Sequence, residues 1–149
     1  MRSIIIMGSR SDQEHADKIT QKLDTLGVSH ETHVASAHKV PEKVLEILKT
    51  NESSDEAICY ITIAGRSNAL SGFVSANTAY PVIACPPFAS KEDFIININS
   101  TLVMPSDTPA LTVIDPANAA LAAARILGLV NKELLAKNRK YVDAIKTSF

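Results

Sequence analysis

The sequence has only two cysteines, Cys59 and Cys85, each inside an apolar run and with no CxxC pair. That excludes a disulfide framework and the common zinc spacings. It reads as two buried free thiols of a cytoplasmic protein. A surplus of charge is also missing. The net charge of -1 leaves no basic face for nucleic acid and no polybasic patch for a membrane. No apolar run is long enough to span a bilayer. The stretch Met1–Met7 is too short for a signal peptide. Neither GxGxxG nor GxxxxGKS occurs, so the usual dinucleotide and Mg-nucleotide cradles are excluded. No His, Cys, Asp or Glu group has metal-ligand spacing, so no metal is expected. Ser67 has no Gly-x-Ser-x-Gly context, which argues against a hydrolase nucleophile.

What is present is an ordinary globular composition. The 149 residues, 46% apolar and 21% charged, suffice for one domain spanning 1–149 and not for two. Ile4-Ile5-Ile6-Met7 reads as a central strand buried on both faces. Ser11 followed by Glu14 has capping-box spacing for a helix carrying Ala16, Ile19, Leu23 and Leu26, which Gly27 ends. Val28–Ala35 is a second strand with a polar centre, suited to a sheet edge. Pro41 opens a helix with Val44, Leu45 and Leu48. Ala57–Ile63 is a third, buried strand, followed by the loop Ala64–Gly72 and a short helix over Phe73–Thr78.

Pro81–Cys85 is the fourth strand. Ser90 with Asp93 caps a helix whose apolar residues are Phe94, Ile95, Ile98 and Leu102. Ala110–Ile114 is the fifth strand, and Asp115-Pro116 starts an Ala-rich helix that Gly128 closes. Asn131 caps a last helix with Leu134, Leu135, Tyr141, Val142 and Ile145. That helix is one more than the sheet needs. It either covers a neighbouring subunit or folds back on its own sheet.

Strands that alternate with helices predict an α/β fold. The expected form is a three-layer, flavodoxin-like parallel sheet of about five strands, order 2-1-3-4-5, plus the C-terminal helix. Ligands in such sheets bind beyond the carboxyl ends of the strands. The loops there hold most of the candidate functional side chains. Gly65 lets backbone approach an anion, Arg66 adds a planar cation, and Ser67 and Asn68 add neutral donors. A tight turn with a solvated arginine is the other reading of that loop. In Gly8-Ser9-Arg10-Ser11-Asp12, Ser and Asp beside a helix start suit either ribose hydroxyls or capping alone. His38 offers a proton donor and acceptor near pH 7, beside Ser36 and the point charge of Lys39. His15, His30 and His33 read as surface residues.

Taken together, Met7-Gly8-Ser9-Arg10-Ser11-Asp12, Ser36-Ala37-His38-Lys39 and Ala64-Gly65-Arg66-Ser67-Asn68 resemble the PurE family of purine biosynthesis. Asn77–Ile83 and Asn118–Leu121 extend the likeness along nearly the whole chain. In the mutase class of that family the loops read like SAHR and AGGAAHLPG. Here they read SAHK and AGRSNALSG, and the second mutase His falls on Ala69. The chain is thus more similar to the class that joins CO2 directly to 5-aminoimidazole ribonucleotide, as in the carboxylase domain of the animal bifunctional enzyme.

The resemblance implies a carboxylase without ATP, biotin or metal, and so no cofactor. His38 would be the acid/base. Gly8, Ser9, Ser11 and Asp12 would hold ribose and nearby phosphate, while Ser36, Lys39, Arg66, Ser67 and Asn68 would bind phosphate or line the pocket. It also implies a homo-oligomer, a tetramer or octamer, with sites between subunits. Two other functions compete: the mutase acting on the N5-carboxylated nucleotide, and a non-catalytic phosphosugar-binding regulatory domain. The missing second His argues against the first, and His38 against the second. A phospho-acceptor receiver domain would need an Asp where Ala64-Gly65 stands.

Overall fold

Isoleucines decide the centre of the molecule, of which the computed structural model describes residues 1–148. In β1 (Arg2–Met7) the run Ile4-Ile5-Ile6-Met7 has no exposed surface, and β3 (Ile58–Ile63) is buried throughout. A strand sends successive side chains to opposite faces. Ile4 and Ile6 therefore face one layer, and Ile5 and Met7 the other. Both faces need a cover. The Ile5 face packs on α1 (Gln13–Leu26), α5 (Pro116–Gly128) and α6 (Lys132–Lys146), through Ile19, Leu23, Ala120, Leu127 and Leu134. The Ile4 face packs on α2 (Pro41–Glu52) and α3 (Ala69–Ser75), through Val44, Leu48, Leu70 and Val74. Burying each such side chain contributes roughly 1.5–3 kcal/mol against the entropy of ordering the chain.

The sheet is completed by β2 (His30–Val34), β4 (Val82–Ala84) and β5 (Ala110–Thr112), with α4 (Lys91–Leu102) between the last two. The strands are all parallel, in the order β2-β1-β3-β4-β5. This is the flavodoxin-like order that the sequence predicts. Ile5 lies opposite Thr32 on one side and Ile61 on the other. The polar strand β2 takes the edge, where one face of backbone groups and several side chains stay wet.

Most helix ends follow the sequence. Gly27 closes α1 in the left-handed region, φ 70°, where its amide reaches the carbonyls of Leu23 and Asp24. Ser90, Asp115 and Asn131 accept the backbone N–H groups of Asp93, Asn118 and Leu134 at 3.1, 2.8 and 2.8 Å. Three features differ. The Ser11–Glu14 capping box does not form. Arg10–Asp12 is a 3-10 turn in which Ser9 Oγ accepts the Ser11 hydroxyl at 2.8 Å, so Ser11 is committed elsewhere. Helix α3 begins at Ala69, inside the stretch read as loop, because Asn68 Oδ1 caps it by accepting the Ser71 N–H at 3.1 Å.

The third difference concerns a surface left uncovered, while the last helix takes one of the two placements open to it. Helix α6 packs on α5 of its own chain, where Leu134 is buried and Asn138 Nδ2 donates to the Ala124 carbonyl at 2.9 Å. Helix α4 is the inverted one. It buries Asn97 and Thr101 and leaves Ile95, Ile96 and Leu102 exposed by 58, 52 and 61%. No helix among the described residues is long and apolar enough to cross a membrane.

Candidate active site

Because every strand runs the same way, the loops after β1, β2, β3 and β4 share one edge of the sheet. The strand order reverses between β1 and β3. The chain leaves β1 toward β2 on one side, and leaves β3 toward β4 and β5 on the other. The connections diverge there and leave a crevice. A cleft of about 850 Å³ occupies it.

The cleft collects residues far apart in sequence. Gly8, Ser9, Ser11 and Asp12 come from the first loop, and Ser36, His38 and Lys39 from the second. Arg66 and Ser67 come from the third. The second loop is a turn held by the Ser36 carbonyl, which accepts from Lys39 N–H at 3.3 Å and Val40 N–H at 2.9 Å. That turn leaves His38 and Lys39 exposed at the rim. The third loop puts Arg66 at φ 56°, a left-handed conformation that residues other than glycine adopt at a cost.

Asn68 is the candidate that stands apart. It is buried, does not line the cleft, and spends its side chain on Ser71 and on Thr101 Oγ1, to which its Nδ2 donates at 3.0 Å.

Several lining residues carry no such reading in the sequence, His15, Lys18 and Asn97 among them. His15 is in the first turn of α1 and is half-buried, not a surface residue. A helix that starts at a ligand-binding edge turns its first residues toward that edge, and this was the available signal. Its Nε2 lies 3.3 Å from Cys85 Sγ. His30 and His33 do stay on the edge strand, beside Asp24 and Glu31.

The electrostatics are mixed. Lys18, Lys39 and Arg66 line the cleft, and so do Asp12, Glu14 and Asp93. Burial pushes the Asp12 carboxyl above its ordinary range, and hydrogen bonds from the Ser9 backbone and the Ser11 side chain pull it back in part. The Cys85 thiol is pushed up to about 12 by burial and by Asp115, so it is an inert neutral group at neutral pH. Burial, with Lys18 adding to it, holds the His15 imidazole below its ordinary 6.5, while Asp115 and Cys85 oppose the shift.

A lowered histidine pKa in the fold means that the unfolded chain binds the proton first. Stability therefore falls as pH drops below about 6.5 toward the folded value. His15→Asn should flatten the acid side of the stability curve in urea titrations between pH 7 and 5. Parallel curves for variant and parent would mean His15 does not titrate differently in the fold.

This arrangement can hold a phosphorylated sugar. Lys39 and Arg66 supply charge for an anion, and Ser9, Ser11 and Asp12 can bond hydroxyls. His38 can move a proton at the rim. The residues match a known family along their length. The family model described as AIR carboxylase matches residues 2–148. A phosphoribosylaminoimidazole carboxylase of Archaeoglobus fulgidus is 50% identical over 129 residues, 87% of this chain and 70% of that protein. A Drosophila melanogaster bifunctional phosphoribosylaminoimidazole carboxylase/phosphoribosylaminoimidazole succinocarboxamide synthetase is 43% identical over 91% of this chain, which spans 32% of it. The crystal structure of Treponema denticola PurE superposes with a TM-score of 0.93 at 44% identity, over 98% of this chain and 92% of that one. Sequence, strand order and superposition agree over nearly the full length, and the chain belongs to the AIR carboxylase family.

Proposed function

We propose that this protein joins CO2 to C4 of 5-aminoimidazole ribonucleotide, forming 4-carboxy-5-aminoimidazole ribonucleotide in purine biosynthesis, and that it also catalyses the reverse. The observation that carries this reading is the meeting of His38 with Lys39 and Arg66 on one cleft at the switch point of the sheet. The aminoimidazole is an enamine, and its C4 electron pair attacks the carbon of CO2. A C–C bond forms, and one C=O pair moves onto oxygen. Cations and N–H donors stabilise the carboxylate that develops. His38 then takes the C4 proton, and the C–H pair restores the aromatic ring. In reverse, the same imidazole returns the proton and CO2 leaves.

Ser9, Ser11 and Asp12 hold the ribose beside Gly8, where the backbone lies open to the ligand. Lys39, Arg66 and Ser67 take the phosphate or the new carboxylate, with Ser36 at the turn. The step needs no ATP and no metal, since CO2 is already electrophilic and the substrate already electron-rich. The mutase reading requires a second imidazole in the third loop, where Ala69 stands at the first position of α3. Incubation with the ribonucleotide, 13C-bicarbonate and excess chelator tests the proposal. Label in the C4 carboxylate supports it, and unlabelled recovery of the substrate counts against it.

We read the working unit as a homo-oligomer in the cytoplasm, a tetramer or octamer of one-domain chains with the clefts near subunit boundaries. Support for assembly comes from α4, whose outward row Ile95, Ile96 and Leu102 is more exposed than apolar side chains normally stay, and from Phe88, 49% exposed at the cleft. The double change Ile95→Asp, Ile96→Asp should lower the sedimentation mass by at least about half, because a charge in an apolar interface is unpaired. An unchanged mass would remove α4 from the interface.

A further inference from the structure

Helix α4 buries a polar row and exposes an apolar one, so the inward row has some task other than packing the core. Asn97 is 5% exposed and joins two loops of the cleft. Its Oδ1 accepts the Arg66 backbone N–H at 2.6 Å. Its Nδ2 donates to the Pro87 carbonyl at 2.5 Å. One turn on, Ser100 Oγ accepts the Asn68 N–H at 2.7 Å, and Thr101 Oγ1 receives the Asn68 side chain at 3.0 Å.

The residue whose amide Asn97 holds is Arg66, at φ 56°. The adjoining Gly65 packs directly on the clamp: a Cβ there would stand 2.9 Å from Asn97 Nδ2, so a side chain would force Asn97 to shift. A left-handed arginine persists only where its surroundings fix it. Here the fixing bond is the one to Asn97, whose Oδ1 is the acceptor that the Arg66 amide reaches.

We infer that Asn97 is a positioning residue: it clamps the Arg66 amide to the Pro87 loop and so sets where the Arg66 guanidinium and Ser67 hydroxyl meet the bound anion. The inference rests on the proposed reading of the cleft as a nucleotide site. Asn97 itself touches no reacting atom in that reading. It acts through the loop, as supports a short distance from the chemistry commonly do.

Two measurements separate the inference from that reading. The first needs no substrate: hydrogen exchange at the Arg66 amide, followed by NMR. Asn97→Ala should speed that exchange by at least about tenfold. Asn97→Asp keeps an acceptor for the Arg66 amide but sets a carboxylate oxygen against the Pro87 carbonyl, and should restore part of the protection. The second is kinetic. Asn97→Ala should raise KM for the ribonucleotide by about tenfold or more, with Asn97→Asp between it and the parent. An unchanged Arg66 exchange rate in Asn97→Ala overturns the clamp, whatever the substrate proves to be. Changed exchange with an unchanged KM overturns the positioning role and leaves Asn97 structural. Should Asn97→Ala not fold, a Gly65→Ala variant, which crowds Asn97 without removing it, must show the same faster exchange or the clamp is wrong. Changed exchange in a protein whose parent does not act on the ribonucleotide sustains the clamp and sinks the substrate assignment.

Discussion

Replacing His38 by asparagine should lower kcat by about 10²–10⁴-fold and leave the affinity for the ribonucleotide within about threefold. The size follows from the role. Asparagine matches the polar shape of imidazole but cannot carry a proton away from C4. The fold should not notice, because His38 is exposed on the turn between β2 and α2, outside both core clusters. Calorimetry of nucleotide binding beside steady-state kinetics separates the cases. Affinity that falls in step with kcat would make His38 a ligand contact. A loss of thermal stability would make it a structural residue.

Replacing Lys39 by alanine should act on the other parameter. Its ammonium is placed at the cleft rim by the turn on the Ser36 carbonyl. A hydrogen bond to a charged group contributes about 1.5–3 kcal/mol, so losing it should raise KM about 10–150-fold. The expected change in kcat is smaller, because the anion is bound alike before and during the reaction. Raising the salt concentration should weaken the parent more than the variant, since an exposed charge pair is screened. A KM that does not move would take Lys39 out of the anion site, and a fall in kcat alone would place it near the carboxylate that forms.

The sheet was legible because its signals are local. Ile4 to Met7 has no polar residue and Ile58 to Ile63 has no charged one, and so apolar a strand must be covered on both faces. His30 to His33 has little else and goes to the edge. The cleft loops could be read for the same reason: parallel strands put their carboxyl ends together, and Gly8, Ser36 and Gly65 stand just past them.

What escaped was not local. In α4 the apolar positions Phe94, Ile95, Ile98 and Leu102 look like a core stripe. The helix instead turns Asn97 and Thr101 inward, because the backbone N–H and side-chain groups of residues 66–68, 30 or so positions earlier, need partners. The period of a helix shows that it has two faces; it does not show which one the neighbours require. Asn68 misled in the opposite sense. Its loop position suggests a ligand donor, and its side chain is used to start α3. His15 was hidden by distance, since Cys85 and Asp115, which surround it, are 70 and 100 positions away.

The central claim is that CO2 itself, not a carboxyl group already carried on N5, is the source of the C4 carboxylate. The most direct test supplies 5-aminoimidazole ribonucleotide with dissolved CO2 and bicarbonate, without ATP and with excess chelator. A parallel reaction supplies the N5-carboxylated nucleotide. The expected result is 4-carboxy product from the first, and from the second only what its spontaneous decay to free CO2 allows. Fast conversion of the second, with none of the first, would contradict it and place this chain among the mutases.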